Sequence, residues 1–148
     1  MKIRSKLIAA VADFLTADIS VPVTIHRETG DLDLEPPYAV VRISTAEPLA
    51  PGEPVWILNL LVSVNQNADL IAAEDAEAAA EMTFAPVDFT TRADETNAAA
   101  AARLAAFATF CETKGVAISA FEPIDSSLTV SEGNWVHVMG FQAIAAEI

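Results

Sequence analysis

The chain has 148 residues, the length of one domain, and can bury a core without disulfides or metals. Eight Lys and Arg against 21 Asp and Glu give a net charge of −13, which argues against a protein that grips nucleic-acid phosphates, since that affinity comes mainly from cations. Hydrophobic residues make up 53% and mean hydropathy is +0.37, but alanine supplies much of this and no run reaches the roughly 18 apolar residues of a membrane span.

The opening "MKIRSKLIAAVADFL" mimics a signal peptide, but Asp13 interrupts its apolar stretch and the pattern continues in helical period. Ile3, Leu7, Ile8, Val11, Phe14 and Leu15 share one face of a helix predicted over about residues 2–17. Lys2, Arg4 and Lys6 crowd its first turns, where the helix dipole disfavours cations. They read either as a solvated start or as a contact for an acidic partner surface.

Val21–Arg27 is a short strand candidate, followed by a loop with Gly30 and the Pro36–Pro37 pair as breakers. Tyr38–Ser44 is a strand by its β-branched and aromatic content. A loop with three prolines leads to Val55–Asn65, whose even positions from Trp56 to Val64 are all apolar while Asn59, Ser63 and Asn65 interrupt the other face. One face is core; the other is partly wet or meets another subunit.

Asn67–Met82 favours helix by composition, with few large apolar residues to define a face. An excursion with Pro86 as a breaker follows. Between Asn67 and Asn97 there are eight acidic residues and one basic residue, Arg92. The next helix is predicted from about Asp94 to Lys114, capped by Asp94 or Thr91, with Gly115 as its terminating residue. Leu104, Phe107 and Cys111 form its core stripe. Val116–Ile124, Ser126–Glu132 and a closing strand from Asn134 complete the chain, with a hairpin turn at Glu132–Gly133–Asn134. The expected fold is α+β: a mainly antiparallel sheet with helices packed on one face, an N-terminal helix and a C-terminal β-meander, in a single domain over residues 1–148.

Catalytic motifs are missing from this pattern. His26 and His137 have no second His or Cys at metal-ligand spacing. Cys111, the one cysteine, sits on an apolar helix stripe and reads as a buried thiol; it provides no disulfide framework, which points to a cytoplasmic compartment or to a chain that needs no disulfide. Ser126–Ser127 lie in no nucleophile elbow, and no glycine-rich phosphate loop exists. Glu74, Asp75, Glu77 and Glu81 could gather carboxylates on a helix, but a solvated acidic face is the simpler reading. No enzyme, metal or cofactor is expected.

The succession of a short helix, "PPYAVVRI", "VWILNLLVSVN", a helical middle and a final hairpin strand "GNWVHVMGFQAIA" resembles the tail terminator (tail-completion) proteins of long-tailed bacteriophages. The resemblance spans the whole chain, and the acidic excursion from Asn67 to Asn97 departs from it most. It implies a structural virion protein at the tail–neck junction, assembled in the host cytoplasm. Such a protein forms a homo-oligomeric ring, a hexamer, that caps the tail tube and ends its polymerisation. Its partners are the tail tube protein and the head–tail connector or stopper protein, with DNA passing through the lumen unbound and no membrane involved. Another phage neck or head–tail connector protein, and a cytoplasmic α+β binding module, are the competing readings. Candidate interface residues are Lys2, Arg4, Lys6, Trp135, His137 and Phe141. Glu74, Asp75, Glu77, Glu81 and Asp88 are candidates for an acidic lumen or loop. The closing strand is apolar on both faces, so one face is expected under a helix and the other against a neighbouring subunit.

Overall fold

The computed structural model describes residues 2–28 and 34–148. The elements run α1 (Lys2–Ala17), β1 (Thr24–Arg27), β2 (Tyr38–Pro48), β3 (Val55–Asn67), α2 (Ala73–Phe84), a 3₁₀ turn (Ala85–Val87), α3 (Asn97–Thr113), β4 (Val116–Ser131) and β5 (Asn134–Glu147). The strands form one sheet in the order β1-β2-β3-β5-β4. β1 pairs with β2 in parallel, and every other pairing is antiparallel. The fold is therefore α+β with a mostly antiparallel sheet, as the sequence predicts. Gly30 lies outside the described residues.

β1 starts at Thr24 rather than Val21 and α2 at Ala73 rather than Asn67, and three further boundaries differ for identifiable reasons. β2 continues to Pro48 because the register shifts between Ile43 and Thr45, and pairing with β3 resumes beyond the shift. Pro48 falls at the strand's last position, where a missing N–H costs little. The predicted strands Val116–Ile124 and Ser126–Glu132 are one strand, with a second irregularity between Pro123 and Asp125 absorbing the proline. β4 lies at the sheet edge, where an outward-facing residue has no ladder bond to lose. The meander is thus a single long hairpin. α3 begins at Asn97, and its N-cap is Thr96, whose Oγ1 accepts from the Ala99 N–H at 3.1 Å. Neither Asp94 nor Thr91 fills that role.

The hairpin turn is where expected. Glu132 (φ 52°) and Gly133 (φ 78°) both take positive φ, the backbone of a two-residue turn whose twist matches its strands. It pairs Ser131 with Asn134 and sets the register of the hairpin.

All three helices lie on the same face. From α1, Ile3, Leu7, Ile8, Val11 and Leu15 are buried, and the Arg4 guanidinium donates to the Ile43 carbonyl at 2.8 Å. α2 approaches on Ala76 and Ala80, both buried, so small residues take the place of a stripe of large ones. Gln66 Nε2 donates to the Ala76 carbonyl at 2.8 Å, and Trp135 Nε1 to the Ile71 carbonyl at 3.0 Å, which ties the start of α2 to β3 and β5. α3 packs through Phe107. Its ring lies 4.9 Å from Phe14, 5.2 Å from Phe89 and 5.0 Å from Phe121, and Phe121 stacks on Phe141 at 5.2 Å. Asp13 joins the ends of three elements, bonding Arg27 at 2.9 Å and Lys114 at 3.0 Å.

Phe107 is completely buried. Phe107→Ala should cost about 3–5 kcal/mol of unfolding free energy in a denaturant titration. Thr96→Ala, which removes only the α3 cap, should cost about 1 kcal/mol.

Candidate assembly surfaces

The sheet has two different faces. Along β3, Leu58, Leu60, Val62, Val64 and Gln66 are buried beneath the helices, and on β5 so are His137, Phe141, Ala143 and Ala145. The alternate residues point the other way. Ile57, Asn59, Leu61 and Ser63 of β3 lie across from Ile144, Gln142, Gly140 and Val138 of β5. All but Gly140 are half-buried, shaded by one another, and no helix among the described residues covers them. A side chain at Gly140 would meet Asp125 Oδ1 at 2.6 Å and Leu61 Cδ2 at 3.5 Å. Asp125 and Leu61 therefore close over that point of the strand.

A second surface comes from length. β4 has 16 residues, so it spans about 50 Å at 3.3 Å per residue. α3 has 17 residues but covers only about 26 Å at 1.5 Å per residue. The far part of β4 outruns the helices. From Ile124 to Ser131 every residue is exposed, including Ile124 at 54%, Leu128 at 51% and Val130 at 61%. This strand is also a sheet edge, with unpaired backbone groups along one side.

Between α2 and this part of β4 lies a groove of about 300 Å³, lined by Ala80, Phe84, Leu128, His137 and Met139, with Glu77 and Glu81 also in its lining. His137 is 8% exposed and neither ring nitrogen has a hydrogen-bond partner. Burial holds its pKa below the ordinary value, against the opposing pull of Glu77 and Glu81, and so favours the neutral ring. A neutral imidazole offers one donor and one acceptor. Leaving such buried groups unpaired costs about 1–3 kcal/mol each.

The predicted interface residues are dispersed. Lys2 is exposed, whereas Arg4 bonds β2 and Lys6 pairs with Glu147 at 2.8 Å. Phe141 is fully buried in the core of its own chain, which corrects its reading as an interface residue. Its ring stacks on Phe121, and the inner face of β5 leaves it no surface. Trp135 is half-buried and spends its N–H on Ile71. His137 alone of these three faces an open groove.

The acidic residues are divided too. Glu74 and Asp75 occupy the exposed first turn of α2, and Glu77 and Glu81 border the groove. Asp88 accepts from the Thr90 N–H and hydroxyl, shaping a turn. Arg103, which the sequence reading passed over, organises the rest of the excursion. It grips Glu95 through two bonds of 2.7 and 2.8 Å and donates to the carbonyls of Asp88 and Thr90. Glu95 lies just before α3 and Arg103 within it, and their separation of eight residues is not the three- or four-residue spacing of a helical ion pair, so the sequence carries no periodic signal.

Cys111 is fully buried, and burial pushes its thiol up to about 12. Among the described residues, no group of three or more His, Cys, Asp or Glu could hold a metal, and no helix is long and apolar enough to cross a membrane.

No protein-family profile matches the chain, and no curated protein matches it. Its fold is similar to that of a chain in the virion of the native gene transfer agent (GTA) particle. That likeness has a TM-score of 0.60 and 16% identity, and covers 95% of this chain and 94% of the other. At that identity the shared property is the fold.

The Arg103 hydrogen bonds hold the Glu95 carboxyl down to about 2. A depressed carboxyl stabilises the fold above its unfolded value near 4.5 and loses that contribution as pH falls toward 2. Glu95→Gln should therefore lower the melting temperature at pH 7, with the gap to the unmodified protein closing between pH 4.5 and 2. Equal gaps at pH 7 and pH 2 would contradict this assignment.

Proposed function

We propose that this chain is a non-catalytic structural subunit of a virion, assembling head to tail into a ring that caps a tail tube and joins it to the head connector. The observation that carries the reading is the uncovered sheet face. Leu61, Ile57, Val138 and Ile144 form an apolar strip that a soluble monomer has no reason to keep and that a neighbouring subunit can cover. Rings use heterologous contacts that close on themselves, and a sheet with one covered and one bare face supplies two unlike surfaces.

Two further points support it. The fold follows that of a virion chain over nearly its whole length. The net charge of −13 suits a conduit through which DNA passes without being held, since cation–phosphate contacts are what retain it. Six copies, the tail tube protein as one partner and a connector or stopper protein as the other follow from the family resemblance. Placement at the tail–neck junction follows from it as well.

Light scattering on the purified protein, followed by negative-stain imaging with and without the tail tube protein of the same genome, tests the reading. Rings alone, or caps at tube ends, are expected. A protein that remains monomeric in both conditions would sink the proposal, while rings that ignore the tube would favour another neck component. Leu61→Lys should abolish the rings and leave the circular dichroism spectrum unchanged, with folding stability altered by about 0.5 kcal/mol or less.

A further inference from the structure

The groove between α2 and β4 has three properties that belong together. Its wall is an open sheet edge. From Ser126 to Ser131 the strand contains no lysine and no proline, the residues that commonly protect an edge from pairing. Its floor holds His137, nine-tenths buried, with both ring nitrogens unpartnered and shielded from solvent. Its α2 side carries Glu77 and Glu81, one helical turn apart, and no basic residue lines it. A second depression, sharing Glu81, Phe84 and Met139, extends it toward Asp88 and Arg92.

We propose that this groove binds an extended, cationic segment of a partner protein, which adds to β4 as a sixth strand. Its backbone pairs with the free edge at Ser126–Ser131. Side chains of an added strand alternate between faces, so every second one enters the groove beside Leu128. An arginine there meets Glu77 and Glu81, with its stem packed over the His137 ring. The charge of the rim selects a cation, and the open edge selects a strand over a helix. Strand addition of this kind draws affinity from main-chain bonds and specificity from alternate side chains. The groove lies on the helix-covered side, away from the bare sheet face. The assignment therefore stands whether or not the chain forms a ring.

The test uses an alternating Val–Arg heptapeptide, with a Val–Glu heptapeptide as control. Binding is followed by fluorescence anisotropy, by the ring resonances of the two histidines and by amide hydrogen exchange. The Val–Arg peptide should bind, shift His137 but not His26, and protect the amides of Ser126–Ser131. The Val–Glu peptide should not bind. Glu77→Gln with Glu81→Gln should weaken binding about tenfold, the loss of two charge pairs. Glu74→Gln with Asp75→Gln removes the same net charge outside the groove and should leave binding nearly unchanged. Equal weakening by both double variants would mean nonspecific attraction to an acidic protein and would overturn the proposal. Absence of binding, or binding without edge protection, would overturn it as well. Edge protection that appears without peptide and rises with protein concentration would replace the partner with a second copy of this chain.

Discussion

The fold depends on one aromatic contact centre. Phe107 touches Phe14 of α1, Phe89 of the acidic excursion and Phe121 of β4, and Phe121 continues the stack to Phe141 of β5. Three segments from the start, middle and end of the chain thus meet the Phe107 side chain of α3, and β5 joins them through Phe121. α3 is otherwise rich in alanine and buries few of its own residues, so Phe107 carries most of what anchors it. The polar restraints are peripheral to this centre. Asp13 gathers Arg27 and Lys114, and Arg103 gathers Glu95 with two carbonyls. They orient the loops that the aromatic packing brings near.

Because everything in that centre lies on one side, the sheet is asymmetric. Helices of about 18–26 Å, at 1.5 Å per residue, cover part of one face of strands up to 16 residues long. The one-sided placement of the helices leaves the other sheet face uncovered, and the length mismatch leaves an edge that reaches past them. These two surfaces are where an assembling protein can meet its neighbours, and they differ chemically. The sheet face is apolar with polar interruptions at Asn59 and Gln142, suited to burial against a second protein surface. The β4 groove is acid-rimmed, with an unpartnered imidazole in its floor, suited to a strand of opposite charge.

Several features were legible in the residues because they are local. The 3.6-residue period of Ile3, Leu7, Val11 and Leu15 marked α1, and the two-residue period of Trp56–Val64 marked β3 with its buried face. Gly133 marked the hairpin. What escaped was non-local. Asp125 reads as a break between two strands until β4 is known to be one continuous edge strand with an irregularity between Pro123 and Asp125. Glu95 reads as a helix N-terminal acid until Arg103 is seen to claim it. Phe141 and His137 share a strand face with identical spacing to the core. Only the placement of α2 and α3 decides that one lies beneath an aromatic stack and the other in a groove.

The sequence by itself determined the class of the fold, the positions of most of its elements within a few residues and the two-sided apolarity of the closing strand. Each follows from periodicity or turn chemistry within a short window. The tertiary structure decided which side of the strand is covered, how far the hairpin projects and which acidic residues border a groove. Those outcomes depend on helix length against strand length and on which side chains from distant segments meet. The resemblance to a virion chain also became visible at that level, because a shared backbone path survives where 16% identity leaves little else in common.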